Sequence, residues 1–201
     1  MTLRQSFLTA LVMSLSAAML PPAAAQDSAS APSRDREAGL AEWDTIHAVF
    51  SHPRCANCHV EDDRPRWSGE HYGRTRVHGF NVRRGEDGSG FGNAGLRCAT
   101  CHSETNSQVL HGPPGAHNWH LAPVEMVWFD RTSAEICAQI KDPARNGGRT
   151  LDEVARHVRD DGLVAWGWQP GPGREPAPGS AEETFAAIER WAAAGAPCPG
   201  E

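Results

Sequence analysis

The sequence predicts a mainly α fold, one small domain of about four helices joined by long loops, and three observations carry that prediction. Start signals of the form S/T-x-x-E occur at Thr132 to Glu135, Thr150 to Glu153 and Ser180 to Glu183. In each, hydroxyl and carboxylate can satisfy one another's orphan backbone N–H groups at a helix start. The chain holds 20 Gly and 15 Pro in 201 residues, many of them clustered between these periodic segments, which reads as long loop. Finally, one pentapeptide pattern, C-x-x-C-H, occurs twice, at Cys55-Ala56-Asn57-Cys58-His59 and at Cys98-Ala99-Thr100-Cys101-His102.

Taken in order, residues 1–25 read as a secretory signal peptide. Arg4 is their only charge, Leu8 to Leu20 form an apolar run, and Ala23-Ala24-Ala25 offers a small-residue cleavage site. The run is too short to span a bilayer, and no later segment is apolar enough to do so. Residues 26–36, rich in Ser, Ala, Asp and Pro, read as a flexible leader to a domain over 37–201. Leu40, Trp43, Ile46 and Phe50 then recur at helical spacing, and Pro53 ends that first helix just before Cys55. Residues 61–95 lack apolar periodicity and read as loop. Their glycine-rich part is not flanked by strand and helix and is followed by no G-K-[ST], which argues against a nucleotide site. Residues 111–126 form a second loop with three Pro and scattered His. The remaining helices run from Thr132 to before Pro143, from Thr150 to a stop at Gly162, and from Ser180 to before Gly195. Trp166-Gly167-Trp168 lies between the last two, as core filling or as a stacking surface for a ring.

The chemistry of the repeated pattern is specific. Two thiols at that spacing can add across the two vinyl groups of a porphyrin, and the adjacent His is then placed to coordinate the iron, so C-x-x-C-H marks covalent attachment of a c-type haem. A zinc site is the alternative, but zinc ribbons separate their C-x-x-C pairs by about 15 to 20 residues and need no His after each. A thioredoxin-like redox pair would follow an apolar strand, and none precedes either motif. The expected cofactors are two covalently attached haems, held by Cys55, Cys58 and His59 and by Cys98, Cys101 and His102, with His59 and His102 as proximal ligands. Export together with haem attachment places the protein in the periplasm.

An electron-transfer haem usually takes a second axial ligand, Met or His. Of four Met in the chain, three precede residue 26 and only Met126 follows, so at most one iron can be His/Met. The distal candidates, in order, are His78, His157, Met126 and His120. His78 sits beside Val77 and Phe80 in an otherwise charged loop, and His157 borders the apolar face of a helix. His120 and Met126 lie near each other in the proline-rich loop. Cys137 and Cys198 remain as an even pair, most simply a disulfide in an exported chain.

Removing residues 1–25 takes away Arg4 and no acid, leaving 18 basic and 25 acidic residues. No basic stripe or tail appears, which argues against nucleic acid as a partner, and the net negative charge suits docking to a basic patch on a redox protein. Low mean hydropathy implies a modest polypeptide core that two porphyrins would complete.

The paired C-x-x-C-H motifs, with a helix before the first and Phe185, Ile188 and Trp191 in a C-terminal helix, resemble c-type cytochromes. Three further stretches are similar to exported dihaem proteins catalogued as isoquinoline 1-oxidoreductase subunits: Lys141 to Arg149, His157-Val158 with Trp166-Gly167-Trp168, and His78 with Asn81 to Gly85. The resemblance implies a cytochrome c-like domain and association with a molybdenum hydroxylase subunit. The chain shows no molybdopterin site and no ferredoxin-type Cys cluster, so it fits the electron-accepting partner. Two ordinary monohaem domains would set their motifs roughly 100 residues apart, whereas Cys55 and Cys98 are 43 apart, so one domain holds both. The expected function is transfer of single electrons between an oxidoreductase and another redox carrier, with no catalytic acid, base or nucleophile. The alternatives are a dihaem peroxidase-like enzyme with one open haem and a haem-based sensor.

Overall fold

A computed structural model describes residues 31–67 and 74–201. The segment read as a signal peptide lies outside the described residues. Helix α1 runs Ala31–Phe50, α2 Pro53–Ala56, α3 Ser133–Lys141, α4 Leu151–Asp160, α5 Gly162–Ala165 and α6 Ala181–Ala193. The fold is mostly helical, as expected, and no helix among the described residues is long and apolar enough to cross a membrane.

The three start signals act as written. Thr132 and Thr150 each accept from the backbone N–H three residues on, while Glu135 and Glu153 return the bond to the cap backbone. Ser180 accepts from the Glu183 N–H. Helix α6 packs against both α1 and α4, because its apolar residues Ala187, Ile188 and Trp191 recur at helical spacing and are wholly buried. They meet Trp43, Ile46 and Phe50 of α1, Ile136 and Ile140 of α3, and Val154 and Val158 of α4. The two core indoles, Trp43 and Trp191, lie 5.1 Å apart, and each finds an acceptor for its N–H, on Ser133 Oγ at 2.8 Å and the Pro197 carbonyl at 2.9 Å. Outside, Arg190 holds Glu42 with two bonds of 2.7 and 2.8 Å.

Three boundaries differ from the sequence reading. Residues 31–36 continue α1 instead of forming a leader. The reason is tertiary: the Arg36 guanidinium donates to the carbonyls of Cys198 and Glu201, tying that turn to the C-terminus. Gly162 begins a helix instead of stopping one. Asp161 ends α4 and caps α5, its carboxylate accepting from the N–H groups of Leu163 and Val164. The stretch read as loop between the motifs also contains two short antiparallel ribbons, β1 (Arg66–Trp67) with β2 (Arg76–Val77), and β3 (Gly92–Asn93) with β4 (Leu96–Arg97). Two-residue strands are too short to show alternation.

Cys137 of α3 and Cys198 in the C-terminal tail form a disulfide with Cα atoms 5.7 Å apart. The tail approaches α1 so closely that a Cβ on Gly39 would stand 2.7 Å from the Pro197 ring. Replacing both cysteines by Ala is expected to lower unfolding free energy by up to about 4 kcal/mol, the loop-closure entropy of a crosslink of this span. Thr150→Ala is expected to cost about 1 kcal/mol by removing a cap. Urea titration of each variant against the parent checks both values.

Candidate functional site

The two repeated motifs are built alike. In each, the N–H of the second Cys donates to the carbonyl of the first at 3.1 Å, a single tight turn that brings both thiols to one side. Cys55 and Cys58 flank the end of α2, and Cys98 opens a short 3-10 turn. None of these four cysteines is in a disulfide. Burial raises the Cys55 thiol to about 12 and the Cys58 thiol to about 11, and the neighbouring Cys98 adds to the rise at Cys58. Trp119, which stacks on His102, also lines the cavity beside Cys58 and His59, so the two motifs lie close together.

Each motif His is fixed in the same way. His59 Nδ1 donates to the Met126 carbonyl at 3.2 Å, and His102 Nδ1 donates to the Pro114 carbonyl at 2.8 Å. A carbonyl can only accept, so each ring carries its proton on Nδ1 and keeps the Nε2 lone pair free for a metal. An indole backs each ring: Trp128 stacks on His59 at 3.5 Å and Trp119 on His102 at 4.6 Å, both within 2° of parallel. Phe50 closes the first stack against Trp128 at 4.5 Å. Segment 126–129 clamps His59 further, since the Trp128 and Phe129 N–H groups both donate to its carbonyl. Burial holds the His59 imidazole down at about 3, opposed in part by the Met126 carbonyl, and burial also lowers His102. Both rings are therefore neutral at pH 7, the form that ligates a metal.

A cavity of about 220 Å³ opens beside the first motif, lined by Cys55, Cys58, His59, Trp128, His157 and Trp168 among others. It is smaller than the roughly 300–1,000 Å³ typical of ligand sites. His157 projects from α4 into this cavity, its Nδ1 3.4 Å from Asp161 Oδ2. Burial lowers the His157 imidazole, with Arg149 adding to the effect and Asp161 opposing it. His120 and Met126 line the same space, His120 against Phe91 at 4.7 Å. His78 lies on the other side of the site. Its ring faces that of His102 with centroids 6.0 Å apart, and its Nδ1 donates to the Gly79 carbonyl at 3.0 Å. All four sequence candidates thus stand near the motifs, His78 with His102 and the other three around His59.

The residues fit a haem on several counts. The Nε2 atoms of His59, His102 and His78 are left free by what binds Nδ1. Trp128 Nε1 is buried at the cavity without a hydrogen-bond partner, a donor that a carboxylate of a bound group would satisfy. Arg145 and Arg149 stand at the same cavity and would favour such a carboxylate. Among the described residues no group of three or more His, Cys, Asp or Glu is placed to hold a metal ion. The two backing indoles and the carbonyl acceptors at Met126 and Pro114 had no signal in the sequence. Asp161 had one, lying four residues after His157 on a helix.

A raised pKa leaves thiolate scarce at every pH below it, and thiolate is the reactive form. In the chain produced without cofactor, iodoacetamide at pH 8 is expected to label the exposed Cys101 well before Cys55 and Cys58. Labelling of that pair should rise about tenfold per pH unit above pH 8. Site-resolved mass spectrometry measures both, and equal rates at pH 8 would contradict the burial described.

Comparison with known protein families, curated proteins and solved structures finds no match for this chain, and its function is read from the site itself.

Proposed function

We propose that this chain is an exported dihaem c-type cytochrome, working in the periplasm, that passes single electrons between an oxidoreductase and another redox carrier. The observation that carries this reading is the duplicated site. Two C-x-x-C-H turns lie side by side, and each His is oriented by a backbone carbonyl and backed by an indole. A c-type haem, when attached, supplies an iron that exchanges one electron without proton chemistry from the protein.

Cys55 and Cys58 would hold the first group and Cys98 and Cys101 the second, with His59 and His102 as proximal ligands. His78 is the distal ligand that the geometry favours for the second. The His78 and His102 rings are 6.0 Å apart, and each has Nδ1 bonded to a carbonyl and Nε2 left free, so the two could hold one iron between them. For the first, His157 shares the cavity with His59 and has a carboxylate beside Nδ1, the arrangement that orients metal-bound His.

Met126 is poorly placed for that role. Its carbonyl is bonded to Nδ1 of His59, on the side of the ring away from Nε2. A Met side chain spans only about 6 Å from its own carbonyl, so from there its sulfur would not reach past Nε2 to the far side of a group held by His59. Both sites then have two His ligands, and His120 is a spare beside the first. The cytochrome c-like character and a molybdenum hydroxylase as electron donor extend the resemblance noted in the sequence.

Intact mass of the periplasmic protein is expected to exceed the polypeptide by two haems, and its visible spectrum to be low-spin at both. His78→Ala and His157→Ala should each convert one haem to high spin, while Met126→Leu leaves the spectrum unchanged. A parent protein with one high-spin haem that binds peroxide would favour the peroxidase-like alternative, and absence of covalent haem would end the proposal.

A further inference from the structure

His78 is half-buried, and two exposed aromatic side chains stand near it. Trp67 of β1 meets His78 edge-on at 6.1 Å and is itself 40% exposed. Two residues after His78 stands Phe80, 86% exposed. Phe80 and Asn81 both have positive φ, 59° and 52°, and the Val82 N–H reaches the Gly79 carbonyl, closing a mirror-image turn. That conformation normally falls to Gly or Asn, and for a bulky residue it is strained. The chain thus holds an aromatic ring in water, in a strained conformation, beside the distal His.

The charge around it is distinctive. Residues 74–84 contain four Arg and no acid. Arg84 turns inward to the Ala122 carbonyl and to Asp63, and Asp62 is occupied by Arg66. Arg74, Arg76 and Arg83 are exposed. Arg76 is the register partner of Trp67, so the two side chains stand on one face of the ribbon. Elsewhere the balance is opposite: the chain as a whole is −6, and residues 175–201 carry five Glu against Arg190 alone.

Resting on the function proposed above, we propose that the ribbon of β1 and β2, with the Phe80 turn, is the docking surface for an acidic redox protein. Trp67 and Phe80 form its apolar centre and Arg74, Arg76 and Arg83 its charged rim. Aromatic and Arg residues at that position match the composition of interface centres, and the rim would steer an acidic partner to the His78 side of the second site. The net charge of the chain implies a basic partner; the local surface selects the reverse.

Two one-electron oxidants of opposite charge test this on the reduced, haem-loaded protein: hexacyanoferrate(III), standing for an acidic partner, and tris(phenanthroline)cobalt(III). Each takes one electron from the protein and is reduced by one unit. The hexacyanoferrate rate constant is expected to fall about fivefold between 10 and 150 mM ionic strength, as the screening length shrinks from about 30 to about 8 Å. The cobalt rate should rise. The variant R74Q/R76Q/R83Q, which replaces no proposed ligand, should reverse the hexacyanoferrate slope. Heparin chromatography supplies a readout without electron transfer, retaining the parent at low salt and not the variant. A hexacyanoferrate rate that climbs with salt in the parent, or a variant matching it in both assays, overturns the docking surface and leaves the cytochrome reading intact. A purified protein without covalent haem overturns both.

Discussion

Everything at the candidate site depends on one kind of bond, the Nδ1–H of a histidine donating to a backbone carbonyl. A free imidazole has two tautomers and turns about two torsions. The bonds from His59 to Met126 and from His102 to Pro114 remove both freedoms, fixing the proton on Nδ1 and the lone pair on Nε2. A parallel indole behind each ring removes the remaining tilt. Because the acceptors belong to the segment after the second motif, residues 114–128 must fold over both motifs before either His is set. The site is assembled by a loop and not by a helix pair.

That division of labour explains the distribution of the core. Helices α1, α3, α4 and α6 bury their own apolar faces against one another and are closed by the disulfide to the C-terminal tail. The loops between Val60 and Val127 contribute few members to that core. They are tied by specific contacts instead. Arg84 is buried between carbonyls from two loops, and Gly90 approaches Leu121 so closely that a Cβ would stand 2.4 Å from its carbonyl. Asn106 accepts from Gly115 and from the Trp166 indole, joining the second site to the turn after α5. A porphyrin on each motif would give such loops the apolar surface they lack.

Periodicity and caps made the four long helices legible, and the repeated C-x-x-C-H pattern made the four thiols and the two adjacent histidines legible. Both kinds of signal are local. The ribbons were hidden by their length, and the first turns of α1 by Arg36, whose partners lie more than 160 residues away. Gly162 shows the same limit in miniature: its role was decided by Asp161, which serves two helices at once. His78 and His157 were visible as apolar-flanked histidines, but their pairing with His102 and His59 required the loops to be placed. Met126 was picked out by elimination among methionines, whereas the bond its carbonyl accepts from His59 Nδ1 left no mark in the sequence.

Trp119 gives the duplicated arrangement a further consequence. It stacks on His102 and lines the cavity that holds His59, and Trp166 meets it edge-on at 4.8 Å. One aromatic side chain is thus shared by both sites. The sites are nevertheless unequal in their surroundings. His59 is the more strongly desolvated of the two motif rings, while His78, beside His102, meets the exposed Trp67, whose register partner is Arg76. Burial disfavours the more highly charged state of a redox centre and a nearby cation favours taking up an electron. Haems on both motifs, as proposed, would therefore sit in unequal surroundings and differ in potential.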